Sequence, residues 1–314
     1  MEKTISFVAA FAAAAILGVL LIPLLKRLKF GQSIREAGPD WHMVKSGTPT
    51  MGGLIFIGAF LMVSPFVLRD ITAVCAAVCA VLFGIVGFTD DYIKVVKKRN
   101  LGLTAGQKFA AQFLVTVAFV LFILYTGRVD TAVSIPFTNL SVDFGLAFIP
   151  FAVFVLLAFV NGVNLTDGID GLAGFVTLAI VLFLSLSAHR LGRDGLSTLC
   201  LVVAGGILGF LLFNVHPAKV FMGDTGSLFL GGFITAVAVL LRYELVLCFA
   251  GIIYVIETLS VVMQVASYKL TGKRIFKMSP IHHHFEMCGW SEVKIVSVFS
   301  MVTILFCAVL FFAV

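Results

Sequence analysis

Two neighbouring carboxylates, Asp90 and Asp91, follow a long apolar stretch, and a third, Asp224, lies in a glycine-rich segment far along the chain. Carboxylate oxygens are hard ligands for Mg²⁺, which usually binds through one or two carboxylates together with substrate phosphates. Lys94 would lie one turn beyond Asp90 if the helix continues, and it would offer positive charge to a phosphate. The pattern therefore suggests phosphate chemistry, although an acidic pair followed by a lysine is also an ordinary helix end.

A second polar stretch runs from Asn161 to Gly171 between two apolar runs. Polar groups are costly in lipid, so such a stretch is expected at a membrane edge or around a wet cavity. The alternative is a loop in which Asn, Asp and Gly only turn the chain. The polar side chains that make it a candidate site are Asn161, Asn164, Asp167 and Asp170.

Three consecutive histidines, His282, His283 and His284, occupy a polar segment near the end of the sequence. Consecutive imidazoles do not converge easily on one ion, and the chain has no cysteines at a spacing suited to zinc. We therefore interpret them as phosphate donors or acid–base groups. The sequence contains neither a P-loop nor a dinucleotide-binding glycine pattern.

The composition identifies the class of protein that carries these residues. Hydrophobic residues make up 61% of the chain and charged residues 12%, against about 25% charged in soluble proteins. We expect an all-α integral membrane protein, with residues 1–314 forming one bundle of ten transmembrane helices. The predicted spans are Ile5–Leu25, Met51–Leu68, Ile71–Phe88, Phe109–Tyr125, Phe144–Val160, Leu172–Leu186, Leu199–Phe213, Ser227–Leu241, Leu245–Ala266 and Val293–Val314.

The distribution of basic residues predicts the orientation of this bundle. Most of the 22 lysines and arginines fall in one of the two alternating sets of loops. Loops rich in basic residues face the cytoplasm. Ten spans then place both termini outside. Most of these charges need no role beyond orientation and contact with lipid headgroups. The acidic clusters and the histidine triplet fall on the same inner face, which predicts a cytoplasmic cleft.

Two further features lie outside that cleft. Glu257 falls near the middle of the ninth span, where an ionisable residue is a functional candidate by default. It would mark a helix break or a groove for a lipid chain, or it would simply pair with a neighbouring helix. The segment from Val133 to Val142 has strand-like residues and predicts a short outer hairpin.

Five segments carry a resemblance to a known family: Lys45–Gly53, Thr89–Lys94, Asn161–Gly171, Phe221–Ser227 and Ser279–Glu286. On these motifs the sequence resembles the polyprenyl-phosphate N-acetylhexosamine-1-phosphate transferase superfamily, and within it the phospho-MurNAc-pentapeptide transferase (translocase I) family. The motifs follow the family order over nearly the whole chain.

The resemblance implies an activity and a location. It implies transfer of phospho-MurNAc-pentapeptide from UDP-MurNAc-pentapeptide to undecaprenyl phosphate, which gives lipid I and UMP for peptidoglycan synthesis. It also implies a Mg²⁺ cofactor, a bacterial cytoplasmic membrane with the active site on its cytoplasmic face, and a homodimer. We expect membrane lipid as a partner and no nucleic acid.

The resemblance also implies roles for individual residues. Asp224 is implied as the Mg²⁺ ligand and Asp90 with Asp91 as the catalytic pair, with Asp90 preferred as the general base. Direct attack and a covalent aspartyl intermediate both stay open. Phe221 would stack on uracil or would only pack in the core. The other implied site residues are Lys45, Asn164, Asp167, Asn214, His282, His283 and His284, with Lys94, Asn161, Asp170 and Phe221 on the uridine side.

Two other functions compete with this one. A sister enzyme would transfer GlcNAc-1-phosphate to a polyprenyl phosphate, and the segment Ser279–Glu286 argues against it because those enzymes carry a differently arranged histidine motif. A transporter or flippase would place charges near the bilayer midplane and would contain paired repeats. The charged clusters here lie at one edge, and no repeat is evident in the sequence.

Overall fold

The computed structural model describes residues 1–28, 47–96, 102–138 and 140–313, and helices dominate these ranges. A single two-stranded hairpin accompanies them in the described part of the chain. The helices are α1 (Glu2–Arg27), α2 (Gly53–Val67), α3 (Ile71–Val96), α4 (Ala105–Tyr125), α5 (Phe148–Thr166), α6 (Leu172–Arg190), α7 (Asp194–Asn214), α8 (Gly223–Leu240), α9 (Glu244–Ala250), α10 (Ile252–Thr271), α11 (Ile281–Met287) and α12 (Glu292–Ala313).

Within the described residues, nine helices are long and apolar enough to cross a membrane: α1, α3 to α8, α10 and α12. The chain is therefore a multi-pass helical membrane protein. The second predicted span corresponds to α2, which has only 15 residues. The ninth predicted span is divided at Gly251 into α9 and α10.

The helices differ in how much of their surface the protein covers. In α8, 89% of the apolar window is buried, and in α7 78%, whereas α1, α4 and α10 each bury 28%. Helices α8 and α7 therefore form the centre of the bundle, and the exposed leucine, valine and phenylalanine side chains of the outer helices suit contact with lipid. Close packing at the centre depends on small residues. A Cβ added at Gly53 would lie 2.3 Å from the Cα of Gly226.

The two ends of the bundle can be identified from contacts between helix termini. At one end Arg69, just after α2, forms an ion pair with Glu2 at 3.4 Å, and Lys3 forms one with Asp194 of α7 at 2.6 Å. At the other end the backbone N–H groups of Gly52 and Gly53 donate to the carbonyls that precede α8. Helix α2 thus extends from one end of the bundle to the other.

The predicted hairpin is confirmed. Strands β1 (Ala132–Ser134) and β2 (Ser141–Asp143) pair antiparallel, with Val133 opposite Val142. The hairpin lies between α4 and α5, at the end of the bundle that holds Glu2 and Asp194. It is therefore far from the polar clusters described next.

Candidate active site

Helix α3 continues past its apolar stretch and carries three charged residues at its end. Asp90 and Asp91 are almost fully buried, at 2% and 3% exposure. Because α3 remains helical to Val96, Lys94 lies one turn beyond Asp90, and its Nζ is 2.7 Å from Asp90 Oδ2. The helical continuation on which the role of Lys94 depended is therefore present.

The start of α8 brings the third carboxylate to the same place. Gly223 has a φ of +76°, which favours glycine, and Asp224 follows it in the first turn of the helix. Asp91 Oδ2 accepts hydrogen bonds from Thr225 N at 2.8 Å and Thr225 Oγ1 at 2.7 Å. Gly87 permits this approach, since a Cβ there would lie 2.0 Å from the Asp224 carbonyl oxygen.

Asp90, Asp91 and Asp224 together form a compact acidic cluster. One carboxylate oxygen from each lies within 4.8 Å of the others. Two ammonium groups stand against this cluster. Lys94 Nζ is 2.5 Å from Asp224 Oδ2, and Lys108 Nζ, from α4, is 2.9 Å from the same oxygen and 3.7 Å from Asp90 Oδ2.

The donor set of this cluster fits a hard divalent cation. Three closely spaced, poorly solvated carboxylates repel one another, and in this arrangement lysines offset their charge. All three donors are carboxylate oxygens, which magnesium prefers over the nitrogen and sulfur ligands typical of zinc. Asn164 Nδ2 donates to Asp224 Oδ1 at 2.6 Å and to Ser227 Oγ at 2.8 Å, which holds the Asp224 carboxylate in place.

Asp167 lies next to the cluster, in the turn between α5 and α6. Its Oδ2 accepts a hydrogen bond from Gly223 N at 3.2 Å. Burial, together with the negative charges of Asp224 and Asp91, raises the pKa of Asp167 to about 8. Asp167 therefore carries a proton over part of the neutral pH range, unlike an ordinary aspartate.

A second polar group lies beside the first and contains two predicted residues. Asp170 Oδ2 accepts from Ala218 N at 3.0 Å and lies 3.0 Å from His216 Nδ1. Asn214 Oδ1 accepts from Gly171 N at 3.1 Å, while its Nδ2 donates to the carbonyl of Val220 at 2.9 Å. These bonds tie the turn after α5 to the segment between α7 and α8.

Phe221 belongs to that segment and is held through its backbone. Its N–H donates to Pro49 O at 2.9 Å, and its carbonyl accepts from Gly52 N at 2.8 Å. Phe221 as a whole residue is half-buried.

The three histidines make different contacts at the start of α11. His282 Nδ1 lies 3.0 Å from Glu257 Oε1, and both side chains are completely buried. His283 Nδ1 lies 2.6 Å from Glu286 Oε2. His284 Nδ1 accepts from Lys277 N at 3.1 Å. Glu257 lies inside the continuous helix α10, and the interruption between helices is at Gly251. Glu257 therefore does not mark a helix break, and it pairs with a residue of a neighbouring helix, His282 of α11.

One of the remaining site residues predicted from the sequence, Asn161, makes its hydrogen bonds with residues other than those of the acidic cluster. Asn161 Nδ2 donates instead to Gln112 Oε1 and to the carbonyl of Leu157, each at 2.8 Å. Lys45 lies outside the described residues. Conversely, Lys108 was not singled out by sequence reasoning, although it contacts the cluster. Its only signal was a basic residue just before an apolar run.

Comparison with known proteins adds a family assignment to this geometry. Residues 73–242 match the family model for glycosyl transferase family 4. Residues 45–57 match signature 1 of phospho-N-acetylmuramoyl-pentapeptide-transferase. Three curated proteins with that name are similar over nearly their whole length.

The relative from Clostridium perfringens strain 13 is 52% identical over 98% of this chain and 96% of its own. The relative from Acetivibrio thermocellus is 49% identical over 98% and 94%. The relative from Staphylococcus aureus strain bovine RF122 is 49% identical over 93% and 94%.

A helical membrane bundle with an acidic cluster at one end, matched over more than half its length by that family model, is a glycosyl transferase family 4 protein. Within this class, the identity of 49–52% to the three relatives, over nearly the full length of the chain, is decisive. The chain belongs to the phospho-N-acetylmuramoyl-pentapeptide-transferase family.

Proposed function

We propose that the protein transfers phospho-MurNAc-pentapeptide from UDP-MurNAc-pentapeptide to undecaprenyl phosphate, giving lipid I and UMP. The observation that carries the proposal is the cluster of Asp90, Asp91 and Asp224 with Lys94 and Lys108, in a chain about half identical to transferases of this name. Residues 1–314 act as one transmembrane transferase domain in peptidoglycan synthesis.

The reaction exchanges one phosphate linkage for another. An oxygen of undecaprenyl phosphate attacks the β-phosphorus of the UDP-sugar, the bond from that phosphorus to the bridging oxygen breaks, and UMP leaves. Both partners are anionic, so the site must offset negative charge as they approach. Lys94 and Lys108 supply two positive charges, and their side chains can move from the carboxylates to contact phosphate oxygens.

The carboxylate cluster is the proposed Mg²⁺ site. Asp224 is the proposed principal ligand, since its side chain is 15% exposed whereas those of Asp90 and Asp91 are each 3% exposed. When bound, Mg²⁺ would neutralise charge on the diphosphate and polarise it. Asp91 instead fixes the first turn of α8 through Thr225.

Asp90 is the residue that we assign to the attacking phosphate. Its Oδ1 accepts from Leu103 N at 2.7 Å, so this oxygen is held by backbone. Its Oδ2 faces Lys94 and Lys108 and remains available to take a proton. An acceptor phosphate is largely ionised near neutral pH, so proton removal contributes less than charge neutralisation.

The uridine end of the substrate is assigned to the second polar group. Asp170 and Asn214 order the turn after α5 against the segment that carries Phe221. The ring of the half-buried Phe221 is the stacking surface for uracil. His283 and His284, with Lys45, are assigned to the phosphate and sugar side of the site, and the fully buried His282 lies behind it against Gly168.

The proposed membrane arrangement has ten crossings, with α2 as the short one and α9 with α10 together forming the ninth. It is supported by the contacts of α2 at both ends of the bundle. Both termini lie outside, and the acidic cluster faces the cytoplasm of a bacterial cell. UDP-sugars are made in the cytoplasm, which suits this orientation.

The experiment that tests the proposal compares two nucleotide sugars. Purified protein with undecaprenyl phosphate and Mg²⁺ should release UMP from UDP-MurNAc-pentapeptide and not from UDP-GlcNAc. UMP release from UDP-GlcNAc alone would replace the proposal with the sister GlcNAc-1-phosphate transferase.

A further inference from the structure

Glu257 and His282 form a fully buried pair away from the acidic cluster. Glu257 lies in α10 and His282 in α11, each with 0% exposure, and Glu257 Oε1 is 3.0 Å from His282 Nδ1. A buried carboxylate without a partner would be costly, and an imidazole offers one directional hydrogen bond. Because a carboxylate oxygen accepts, the Nδ1–H of His282 is the donor.

The opposite edge of the His282 ring faces the turn after α5. A Cβ added at Gly168 would lie 2.2 Å from His282 Nε2, so only glycine allows this contact. Gly168 directly follows Asp167 in the sequence. The His282 ring therefore supports the turn that presents Asp167 to the acidic cluster.

His282 Nε2 itself is buried and has no hydrogen-bond partner among the described residues. Glu257 Oε2 and Thr258 Oγ1 share that property. In a neutral histidine, the hydrogen bond made by one ring nitrogen determines whether the other nitrogen accepts or donates. Glu257 thus determines which tautomer His282 presents to the Asp167 turn.

We propose that Glu257 is a positioning residue for the transfer reaction, acting through the tautomer and orientation of His282. This inference rests on the proposed function. Glu257 does not contact substrate. It holds His282 with Nδ1 protonated and Nε2 unprotonated, and the His282 ring in turn fixes the Gly168 turn beside Asp167.

The first test reads the tautomer directly in the wild-type protein labelled with ¹⁵N-histidine. The His282 ring, assigned by through-bond correlations, should show a protonated Nδ1 and an unprotonated Nε2. In Glu257→Gln this signature should shift or broaden, because an amide can either accept from or donate to Nδ1. A wild-type His282 protonated only on Nε2 would overturn the proposal.

The second test is kinetic and uses a matched control. Glu257→Gln should lower kcat about 10- to 100-fold, by analogy with residues that orient metal-binding histidines, with KM for the UDP-sugar nearly unchanged. Glu244→Gln changes another fully buried carboxylate, at the far end of the bundle, whose oxygens lack partners among the described residues. It should leave kcat unchanged.

A third variant separates positioning from general stabilisation. In a His282→Gln background, Glu257→Gln should cause little further loss of kcat, because Glu257 acts through His282. Equal losses in both backgrounds, or a lower unfolding temperature with normal kcat, would overturn the proposal. The NMR measurement of the His282 tautomer does not require enzymatic activity. If the wild type is inactive towards both UDP-sugars, that result contradicts the proposed function and leaves the test of the tautomer intact.

Discussion

At the scale of single residues, two aspartates near the same cluster have very different surroundings. Asp224 faces two lysines and the Asn164 amide. Asp167 faces one backbone N–H, and its pKa is raised to about 8 by burial and nearby carboxylates. A group that is partly protonated at neutral pH contributes less negative charge than one that stays ionised.

This contrast predicts different effects of removing each charge. Asp224→Asn keeps the size of the side chain but removes a proposed metal ligand, so turnover should fall by about 10²–10³, as for a single key electrostatic group elsewhere. The Mg²⁺ concentration that gives half-maximal UMP release should rise. Both are measured by titrating Mg²⁺ against UMP release.

Asp167→Asn is the matched control for that titration. Asparagine resembles the protonated form of Asp167, so its Mg²⁺ dependence should shift less than that of Asp224→Asn. If Asp224→Asn folds, turns over normally and gives an unchanged titration, Asp224 is not the metal ligand, and Asp90 or Asp91 becomes the better candidate.

The sequence predicted part of this site at the level of residue identity. Asp90, Asp91, Lys94, Asn164 and Asp224 were all named, and all meet in the structure. Lys108 and the partner of Glu257 were not predicted, because they depend on how helices pack. A basic residue at a helix end looks the same in sequence whether it contacts lipid headgroups or a carboxylate.

At the scale of elements, the contact between α3 and α8 positions the acidic cluster. Gly87→Ala would place a Cβ 2.0 Å from the Asp224 carbonyl oxygen, which is backbone and cannot turn aside. The helices must separate, at a cost of about 1–3 kcal/mol, as in other overpacked cores. We expect a lower temperature of half-inactivation in detergent and weaker Mg²⁺ binding.

Gly106→Ala provides the control for this change. Gly106 lies in the first turn of α4, and a Cβ there would meet no atom within 4 Å. Alanine favours a helix over glycine by about 1 kcal/mol, so heat resistance should be kept or slightly raised. An equal loss of heat resistance in both variants would mean that the contact between α3 and α8 is not tight.

The element boundaries show what hydropathy predicts and what it misses. The apolar runs located the long helices, but the third was predicted to end at Phe88, whereas α3 continues to Val96. Charged residues end an apolar run without ending a helix, because Lys94 pairs with Asp90 across one turn. The division at Gly251 was missed because both flanking segments are apolar.

At the scale of the whole molecule, the proposed orientation in the membrane rests on the unequal distribution of lysine and arginine between alternate loops. Cys288 is exposed and lies just after α11, at the same end as the acidic cluster. In sealed cells an impermeant thiol reagent should not label Cys288, whereas opened membranes should allow labelling. Labelling is measured by the mass of the modified protein.

An outer thiol makes that result interpretable. Ser141 is exposed in β2, at the opposite end of the bundle, and Ser141→Cys should be labelled in sealed cells. Both measurements use a Cys248→Ala background, because the half-buried Cys248 could itself react with the reagent. The other four cysteines are buried. Labelling of Cys288 in sealed cells would reverse the orientation and the cytoplasmic site with it.

The central claim is that the molecule transfers a phosphosugar, rather than a sugar alone, to a lipid phosphate. The most direct measurement follows ³²P placed in the β-phosphate of UDP-MurNAc-pentapeptide, with purified protein and undecaprenyl phosphate. The label should enter the lipid fraction while unlabelled UMP is released, and only when Mg²⁺ is present. Label that remains in released UDP, with an unlabelled lipid product, would contradict the account.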